Sequence, residues 1–242
     1  MMTSIRSAVF SVYLVMTIAV MGIACLPLIL FGRRAARGTV KLWSRLALFG
    51  LHQIAGVSFK VEGAENMPQG GALIAANHQS QWETIALYAL APNPVMILKK
   101  ELLRIPVYGW WAGAAGNIAV DRKGGAKALR AMTREAKKHT DAGEQIIIFP
   151  EGTRLKPGET RKFQPGVAGI YATTGAPCTP VAHDSGRFWR HPGGEKIPGV
   201  ITLRILPAIP PGLDRKEFLD TLAARLENAR PDLAVAKGPP HG

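Results

Sequence analysis

The feature that most constrains this chain is a run of 24 uncharged residues near its N-terminus, residues 8–31. A helix of that length extends about 36 Å, more than the roughly 30 Å of a bilayer's hydrocarbon core. A cleaved signal peptide is the alternative, because Arg6 supplies a basic start. The run is longer than an ordinary signal core, however, and no small-residue cleavage site follows it. We therefore predict a membrane anchor.

A basic flank follows the apolar run and carries Arg33, Arg34, Arg37, Lys41 and Arg45. Such a flank marks the cytoplasmic border of a membrane segment and suits anionic lipid. Gly22 and Pro27 are able to break the helix, so a full span and a re-entrant hairpin both stay open. A second helix is predicted at about 39–55, either interfacial or in the core. Residues 1–55 are thus assigned to anchoring, with the remaining chain on the cytoplasmic face of the membrane.

The composition indicates that the protein binds an anionic partner. Of the 242 residues 47% are hydrophobic and 19% charged, and the net charge is +13. Nucleic acid, anionic lipid headgroups and phosphorylated substrates are the three candidates. The chain has no basic patch interleaved with aromatic residues and no recognition helix, so we predict no nucleic-acid partner. Two cysteines are too few for a disulfide framework or a zinc site, and no ligand cluster calls for a metal.

Short apolar strands alternate with helical segments from Val57 onward. This alternation is typical of an α/β fold, and we predict a mixed, largely parallel sheet flanked by helices. That domain is assigned to residues 56–230, behind the anchoring helices. The remaining residues, 231–242, lack periodicity and are predicted to be a frayed tail.

A histidine and a carboxylate follow one of these strands, within the stretch NHQSQWE at residues 77–83. Five residues separate His78 from Glu83, which puts them on different faces of a continuous helix. The two side chains meet only if His78 lies in a loop and Glu83 in the first turns of the next helix, which Gln79 or Ser80 would cap. Glu83 would then fix the imidazole tautomer and leave the other ring nitrogen as a base. A structural histidine in a polar loop is the other interpretation.

Polar residues also end three further predicted strands. FPEGTR, residues 149–154, follows the most hydrophobic strand, and Gly152 allows a tight turn there. Arg154 is suited to hold a phosphate through its planar guanidinium, although a simple ion pair with Glu151 is the alternative. The other two strands end in Asp121 with Arg122 and in Lys99 with Lys100. Because such strand ends meet at one edge of a sheet, they predict a phosphate pocket.

Taken together, these segments resemble the glycerolipid acyltransferase family, whose bacterial members make phosphatidic acid from lysophosphatidic acid. The resemblance covers about residues 57–190, with the blocks in family order. The first block, NHxxxxD, is matched with glutamate in the aspartate place, by Asn77, His78 and Glu83. A later block, FPEGTR followed by serine, is matched with Leu155 in the serine place. The remaining matches are Gly116, Asp121, Arg122, Lys99 and the proline-containing strand at 179–182.

The resemblance implies a role for each residue. His78 would be the catalytic base and Glu83 its orienting partner, without a covalent acyl-enzyme. The substrate-binding residues would be Lys99, Arg122, Glu151, Gly152, Thr153 and Arg154, with the cations on the acceptor's phosphate and Glu151 on its glycerol. Backbone amides near 152–154, or just after His78, would serve the oxyanion. No cofactor is implied beyond a thioester co-substrate, which is acyl carrier protein or coenzyme A bearing the acyl group. The implied partners are membrane lipid and lysophosphatidic acid.

Other functions remain open. The same chemistry would serve another acceptor, such as a lyso-ornithine lipid or glycerol-3-phosphate. A non-catalytic tether for anionic lipid would also explain the basic, anchored chain. A serine or cysteine hydrolase is disfavoured, because the sequence has no GxSxG nucleophile elbow and no placed nucleophile. Trp110 and Trp111 are candidates for the wall of an acyl channel, or are ordinary core or interfacial residues.

Overall fold

The computed structural model describes residues 2–121 and 123–236, and the predicted α/β class is confirmed within them. Seven strands form one sheet: β1 (Val57–Glu62), β2 (Ala72–Ala76), β3 (Pro94–Lys99), β4 (Ile118–Val120), β5 (Gln145–Ile148), β6 (Cys178–His183) and β7 (Gly199–Ile205). Their order is β1-β7-β6-β2-β5-β3-β4. Neighbouring strands are parallel except β6 and β7, so the sheet is mixed as predicted.

Helices cover both faces of this sheet. They are α1 (Met2–Ala24), α2 (Arg33–Ala55), α3 (Trp82–Leu90), α4 (Tyr108–Ala114), α5 (Gly125–Asp141), α6 (Pro165–Thr174), α7 (Arg215–Ala229) and α8 (Pro231–Ala236). Neither α4 nor α6 is predicted above. Each contains two glycines, which weaken the helical signal of a short segment.

The sheet separates two hydrophobic cores, as β2 illustrates. Ile74 and Ala76 face the core that contains residues of α1, α2 and α3. Leu73 and Ala75 face the core that contains residues of α5, α6 and α7. All five residues of β2 are buried. This burial explains why its sequence is uniformly apolar, since a parallel strand covered on both faces shows no alternation.

The anchoring segment is a helical hairpin. α1 ends at Ala24, a 3₁₀ turn follows at Leu26–Phe31, and α2 returns alongside α1. The Tyr13 hydroxyl donates to the carbonyl of Leu46 at 3.0 Å, and the Trp43 indole donates to the Thr17 hydroxyl at 3.3 Å. α1 is long and apolar enough to cross a membrane. Its exposed large apolar side chains are Met2, Ile5, Val9, Val12, Val15, Met16, Val20 and Ile23.

Two predicted boundaries need correction. α2 begins at Arg33 rather than near 39, and Leu51 packs in the core whereas Phe49 is exposed. The predicted frayed tail, 231–242, is wrong for its first six residues, which form α8. Asp232 is buried there because it pairs with Arg230. Residues 237–242 lie outside the described part of the chain.

Candidate active site

His78 and Glu83 meet at the carboxyl end of β2. His78 follows the strand in a loop, and Glu83 lies in the first turn of α3, as the spacing predicts. The Nδ1 atom of His78 lies 2.7 Å from Oε1 of Glu83. The loop is possible because Gln81, rather than His78, precedes the helix directly.

Glu83 is a fully buried carboxylate surrounded by donors. Its side chain is 0% exposed. Oε1 accepts from His78 Nδ1 and from the backbone N–H groups of Gln79 and Ser80, both at 2.8 Å. Oε2 accepts from the hydroxyls of Ser80 and Ser185, both at 2.7 Å. Five donors therefore replace the water that a buried charge loses.

These donors keep the carboxylate ionised. Burial alone would raise the pKa of Glu83, but the hydrogen bonds that it accepts from His78 and Ser80 outweigh this effect. The pKa of Glu83 is therefore held well below its ordinary value. A permanent negative charge thus faces one ring nitrogen of His78.

The imidazole ring of His78 packs against an aromatic side chain on one face, and one of its nitrogens forms no hydrogen bond in the described part of the chain. Its ring stacks on Phe149, with ring centroids 4.3 Å apart and planes 18° apart. The side chain is 15% exposed. Nδ1 donates to Glu83, so Nε2 carries the free lone pair, an assignment that follows from the hydrogen-bonding pattern. Within residues 2–121 and 123–236, Nε2 has no hydrogen-bond partner. Nε2 is thus available to accept a hydrogen bond from whatever occupies the space beside it.

The FPEGTR segment holds the backbone around His78. The carboxylate of Glu151 accepts the His78 N–H at 2.7 Å, and the Leu155 N–H donates to the His78 carbonyl at 2.8 Å. Arg154 Nε donates to the Ser80 carbonyl at 3.0 Å. Because Leu155 acts through its backbone, the change from serine leaves this contact intact. The two motifs, far apart in sequence, form one structural unit.

Glu151 is a second buried carboxyl group, and its pKa is raised whereas that of Glu83 is lowered. It is 4% exposed, and burial raises its pKa to about 8 against the lowering effect of the His78 N–H. Its nearest donor is backbone, whereas the resemblance implies a contact with the acceptor's glycerol. At neutral pH Glu151 is largely a neutral acid that supports the His78 loop.

The remaining predicted substrate-binding residues differ in position. Arg154 is half-buried beside the site, and its two terminal nitrogens have no hydrogen-bond partner in the described ranges. Thr153 is exposed, and Gly152 makes the tight turn with φ of +71°. Lys99 is exposed at the end of β3, two strands from β2 and so roughly 10 Å away across the sheet. Arg122 lies outside the described residues.

The end of β6 supports the loop after β2 through hydrogen bonds that the sequence analysis did not predict. The Asn77 side chain donates to the His183 carbonyl at 3.0 Å and accepts the His183 N–H at 2.9 Å. His183 Nε2 donates to the Asn77 carbonyl at 2.7 Å and its Nδ1 accepts the Ser185 N–H at 3.3 Å, so this fully buried ring is neutral. Burial also lowers the pKa of His183. The signal was present, because the apolar strand β6 ends in His183 and is followed by Asp184 and Ser185, much as NHQS follows β2.

The C-terminal segment braces the same loop from another side. Asp232 Oδ2 accepts from the Gln79 amide at 2.9 Å, from the Gly158 N–H at 2.8 Å and from Arg230 at 2.7 Å. The Gln79 side chain also accepts the Gly186 N–H at 3.0 Å. One buried aspartate therefore joins α8 to both loops of the site.

Two expectations about the surroundings change. The amides just after His78 are engaged by Glu83, so they are not free for an oxyanion. Trp111 is buried and donates to the Gly22 carbonyl at 2.9 Å, whereas Trp110 is 50% exposed. Trp111 is therefore a core residue between α4 and α1. In the described ranges, no group of three or more histidine, cysteine or acidic side chains is arranged to hold a metal.

Comparison with known proteins agrees with this geometry. A family model described as acyltransferase matches residues 58–184, a stretch that contains both motifs. A 1-acyl-sn-glycerol-3-phosphate acyltransferase of Pseudomonas aeruginosa is 35% identical over 177 residues, covering 73% of this chain and 69% of that protein. The human 1-acyl-sn-glycerol-3-phosphate acyltransferase alpha is 28% identical over 169 residues, which cover 69% of this chain and 60% of the human protein.

The fold is shared with a solved structure. The crystal structure of the 1-acyl-sn-glycerophosphate acyltransferase PlsC from Thermotoga maritima superimposes with a TM-score of 0.79. The superposition covers 98% of both chains, at 23% sequence identity. At this identity the likeness establishes the fold, including the N-terminal hairpin.

Ser185→Ala tests the support of Glu83. The change removes one hydroxyl donor from a buried carboxylate, so we expect the pKa of Glu83 to rise and the free energy of unfolding at pH 7 to fall by about 1–3 kcal/mol. Urea unfolding in detergent micelles measures this fall. Ser44→Ala is the matched control, since the buried Ser44 hydroxyl has no partner in the described ranges and its loss costs little. Equal effects of the two variants would contradict the assignment.

Glu151→Gln tests the raised pKa. A carboxyl whose pKa rises from 4.5 to about 8 on folding favours the folded state only while protonated. Wild-type stability should therefore fall as pH increases from about 4.5 to 8, and the neutral amide should remove this dependence. We expect the variant to gain at least about 1.4 kcal/mol on wild type between pH 5 and pH 9, the equivalent of one pKa unit. If the free energy of unfolding varied with pH in the same way for wild type and variant, the raised pKa of Glu151 would be ruled out.

Proposed function

This chain belongs to the acyltransferase family, and on that basis we propose that it moves a fatty acyl group from an acyl thioester to 1-acyl-sn-glycerol-3-phosphate. The product is phosphatidic acid, for phospholipid biosynthesis. The names of the relatives support the acceptor. The observation that carries the proposal is the open Nε2 of His78, backed by the buried, ionised Glu83.

The reaction needs one base and no covalent intermediate. His78 Nε2 takes the proton from the acceptor's free hydroxyl while that oxygen attacks the thioester carbonyl carbon. The imidazolium that forms is stabilised by the Glu83 carboxylate 2.7 Å away. The carbon–sulfur bond then breaks, and the leaving thiolate receives the proton from His78. An ester and a free thiol result, and the enzyme returns to its initial state.

The developing oxyanion needs donors that are not already engaged. The amides of Gln79 and Ser80 are bonded to Glu83, so they do not qualify. We assign the oxyanion to the backbone amides of Thr153 and Arg154, in the turn beside His78. These amides have no bonded acceptor within the described residues.

The acceptor's phosphate is assigned to Arg154. Its Nε is fixed on the Ser80 carbonyl, which leaves the two terminal nitrogens for phosphate oxygens. Lys99 and Arg122 are proposed as further cations at this edge of the sheet, and Glu151 as the neutral support of the loop. Gly152 and Thr153 complete the turn that carries Arg154.

The setting proposed for this reaction is a bacterial-type inner membrane. The exposed apolar face of α1 inserts into the bilayer, and the catalytic domain faces the cytoplasm with its thioester pool. Acyl carrier protein and coenzyme A are the two donors considered, and neither requires a metal or another cofactor.

The deciding experiment is acyl transfer from a labelled thioester to lysophosphatidic acid, with wild type and His78→Ala in detergent micelles. Loss of the base should lower the rate by about 10²–10⁴-fold. Unchanged thermal unfolding and vesicle binding of the variant would show that it is folded and anchored. Equal rates would show that His78 is structural and would favour the tether. An inactive wild type that accepts a lyso-ornithine lipid would shift the proposal to that acceptor.

Arg154→Lys tests the acceptor site. Lysine keeps the charge but lacks the planar fork, so we expect KM for lysophosphatidic acid to rise about tenfold with kcat little changed. Monoacylglycerol, which has the same acyl chain and hydroxyls but no phosphate, is the matched control substrate. The KM and kcat of the variant for monoacylglycerol should equal those of wild type. A similar loss on both acceptors would mean that Arg154 only supports the loop.

A further inference from the structure

A basic stripe runs along α5. Five cationic side chains fall within an arc of about 100° on this helix, and all are exposed: Lys127, Arg130, Arg134, Lys137 and Lys138. The opposite side of α5 carries Met132 and Ala136, which pack into the core. Lys123, also exposed, extends the stripe beyond the start of the helix. We call these six residues the α5 stripe.

The stripe is only partly neutralised. Lys137 pairs with Asp141 at 2.9 Å and Lys138 with Glu135 at 2.7 Å. Lys127, Arg130 and Arg134 form no salt bridge within the part of the chain that the structure describes. Three cations in the first ten residues of α5 are therefore left for another molecule.

The fold does not need these cations, and they weaken the helix. Lys127 and Arg130 lie three residues apart and Arg130 and Arg134 four apart, so each pair repels by about 0.2–0.5 kcal/mol. Lys127 also lies in the first turn, where the helix dipole disfavours positive charge and where α5 has no acidic residue. Because these positive charges lower the stability of α5, we expect them to serve the binding of a partner.

The position of α5 argues against the bilayer as that partner. α5 packs on the sheet face opposite the core that contains α1 and α2. The whole sheet therefore lies between the stripe and the anchoring hairpin. Helices that pack on opposite faces of a sheet are about 20 Å apart, more than the roughly 8 Å over which physiological salt screens charge.

The length of the stripe selects a kind of partner. From Lys127 to Lys138 it extends about 16 Å along the helix. A nucleotide's phosphates are compact and bind a single cluster of donors, whereas the exposed cations of the stripe are spread over several helical turns. An acidic helix of another protein, laid along α5, would meet successive turns of positive charge.

We propose that the α5 stripe docks an acidic carrier protein that delivers the acyl group as a thioester. The proposal rests on the acyl-transfer function above and selects the protein-bound donor over coenzyme A. The start of α5 follows the carboxyl end of β4, three strand spacings or about 14 Å from β2 and His78. A carrier docked there presents its thioester arm to the site from the side away from the membrane.

The test uses the full chain in detergent micelles with one acyl chain on two donors, acyl carrier protein and coenzyme A. Arg130→Glu/Arg134→Glu reverses two unpaired charges that touch none of the catalytic groups. We expect KM for the carrier-bound donor to rise at least tenfold, and KM for the coenzyme A donor and both kcat values to change less than twofold. Added salt should raise the wild-type KM for the carrier-bound donor and leave that of the variant unchanged.

Arg215→Glu/Lys216→Glu is the matched control, with the same charge change at exposed positions of α7. It should leave both donors unaffected. Equal KM changes for both donors, no change for either, or the same change in the control would overturn the proposal. So would a wild type that uses only coenzyme A, or a variant that loses only its binding to phosphatidylglycerol vesicles.

Failure of the acyl-transfer proposal can be distinguished from failure of the docking proposal. If wild type uses neither donor, the binding of fluorescently labelled holo-carrier, measured by anisotropy, decides the docking on its own. Weaker binding to Arg130→Glu/Arg134→Glu than to wild type and the α7 control supports the stripe as the docking surface. Equal binding to all three proteins rejects it.

Discussion

The site depends on keeping one carboxylate ionised where no water reaches it. An uncompensated charge at the position of Glu83 would cost several kcal/mol, so its donors are as necessary as the residue itself. Those donors come from the loop after β2 and, through Ser185, from the segment after β6. They meet because β6 and β2 are neighbours in the sheet. The architecture is thus tied to one ionised group, and the orientation of the His78 ring follows from it.

A second requirement is that the histidine stay still while its proton moves. Phe149 stacks on the ring, and Glu151 and Leu155 hold the backbone on either side of it. The FPEGTR segment and the Leu155 that follows it therefore have two separate roles: Glu151 and Leu155 support the His78 backbone, and Arg154 is the cation proposed for the acceptor's phosphate. Burial makes Glu151 neutral, which spares the site a second anion beside Glu83.

Local patterns predicted the contacts that lie within one loop, and they missed those that depend on strand order. The pairing of His78 with Glu83 follows from a five-residue spacing and the start of a helix. Ser185 and Asp232 are 102 and 153 residues from their partners, and only the order β6-β2-β5 brings them in. The resemblance assigned Glu151 to substrate, and no local pattern shows that its carboxyl faces the His78 N–H. The helix α6 was missed because its glycines obscure the period.

The buried pair of Arg230 and Asp232 has a consequence for how the protein is made. Chains emerge from the ribosome N-terminus first, so the apolar hairpin is available to the bilayer while the catalytic loop is still unsupported. Gln79 and Gly158 gain their shared aspartate only after α7 has been translated. In the proposed membrane setting, the hairpin of a partly synthesised chain therefore inserts before the loop that carries its histidine is held in place.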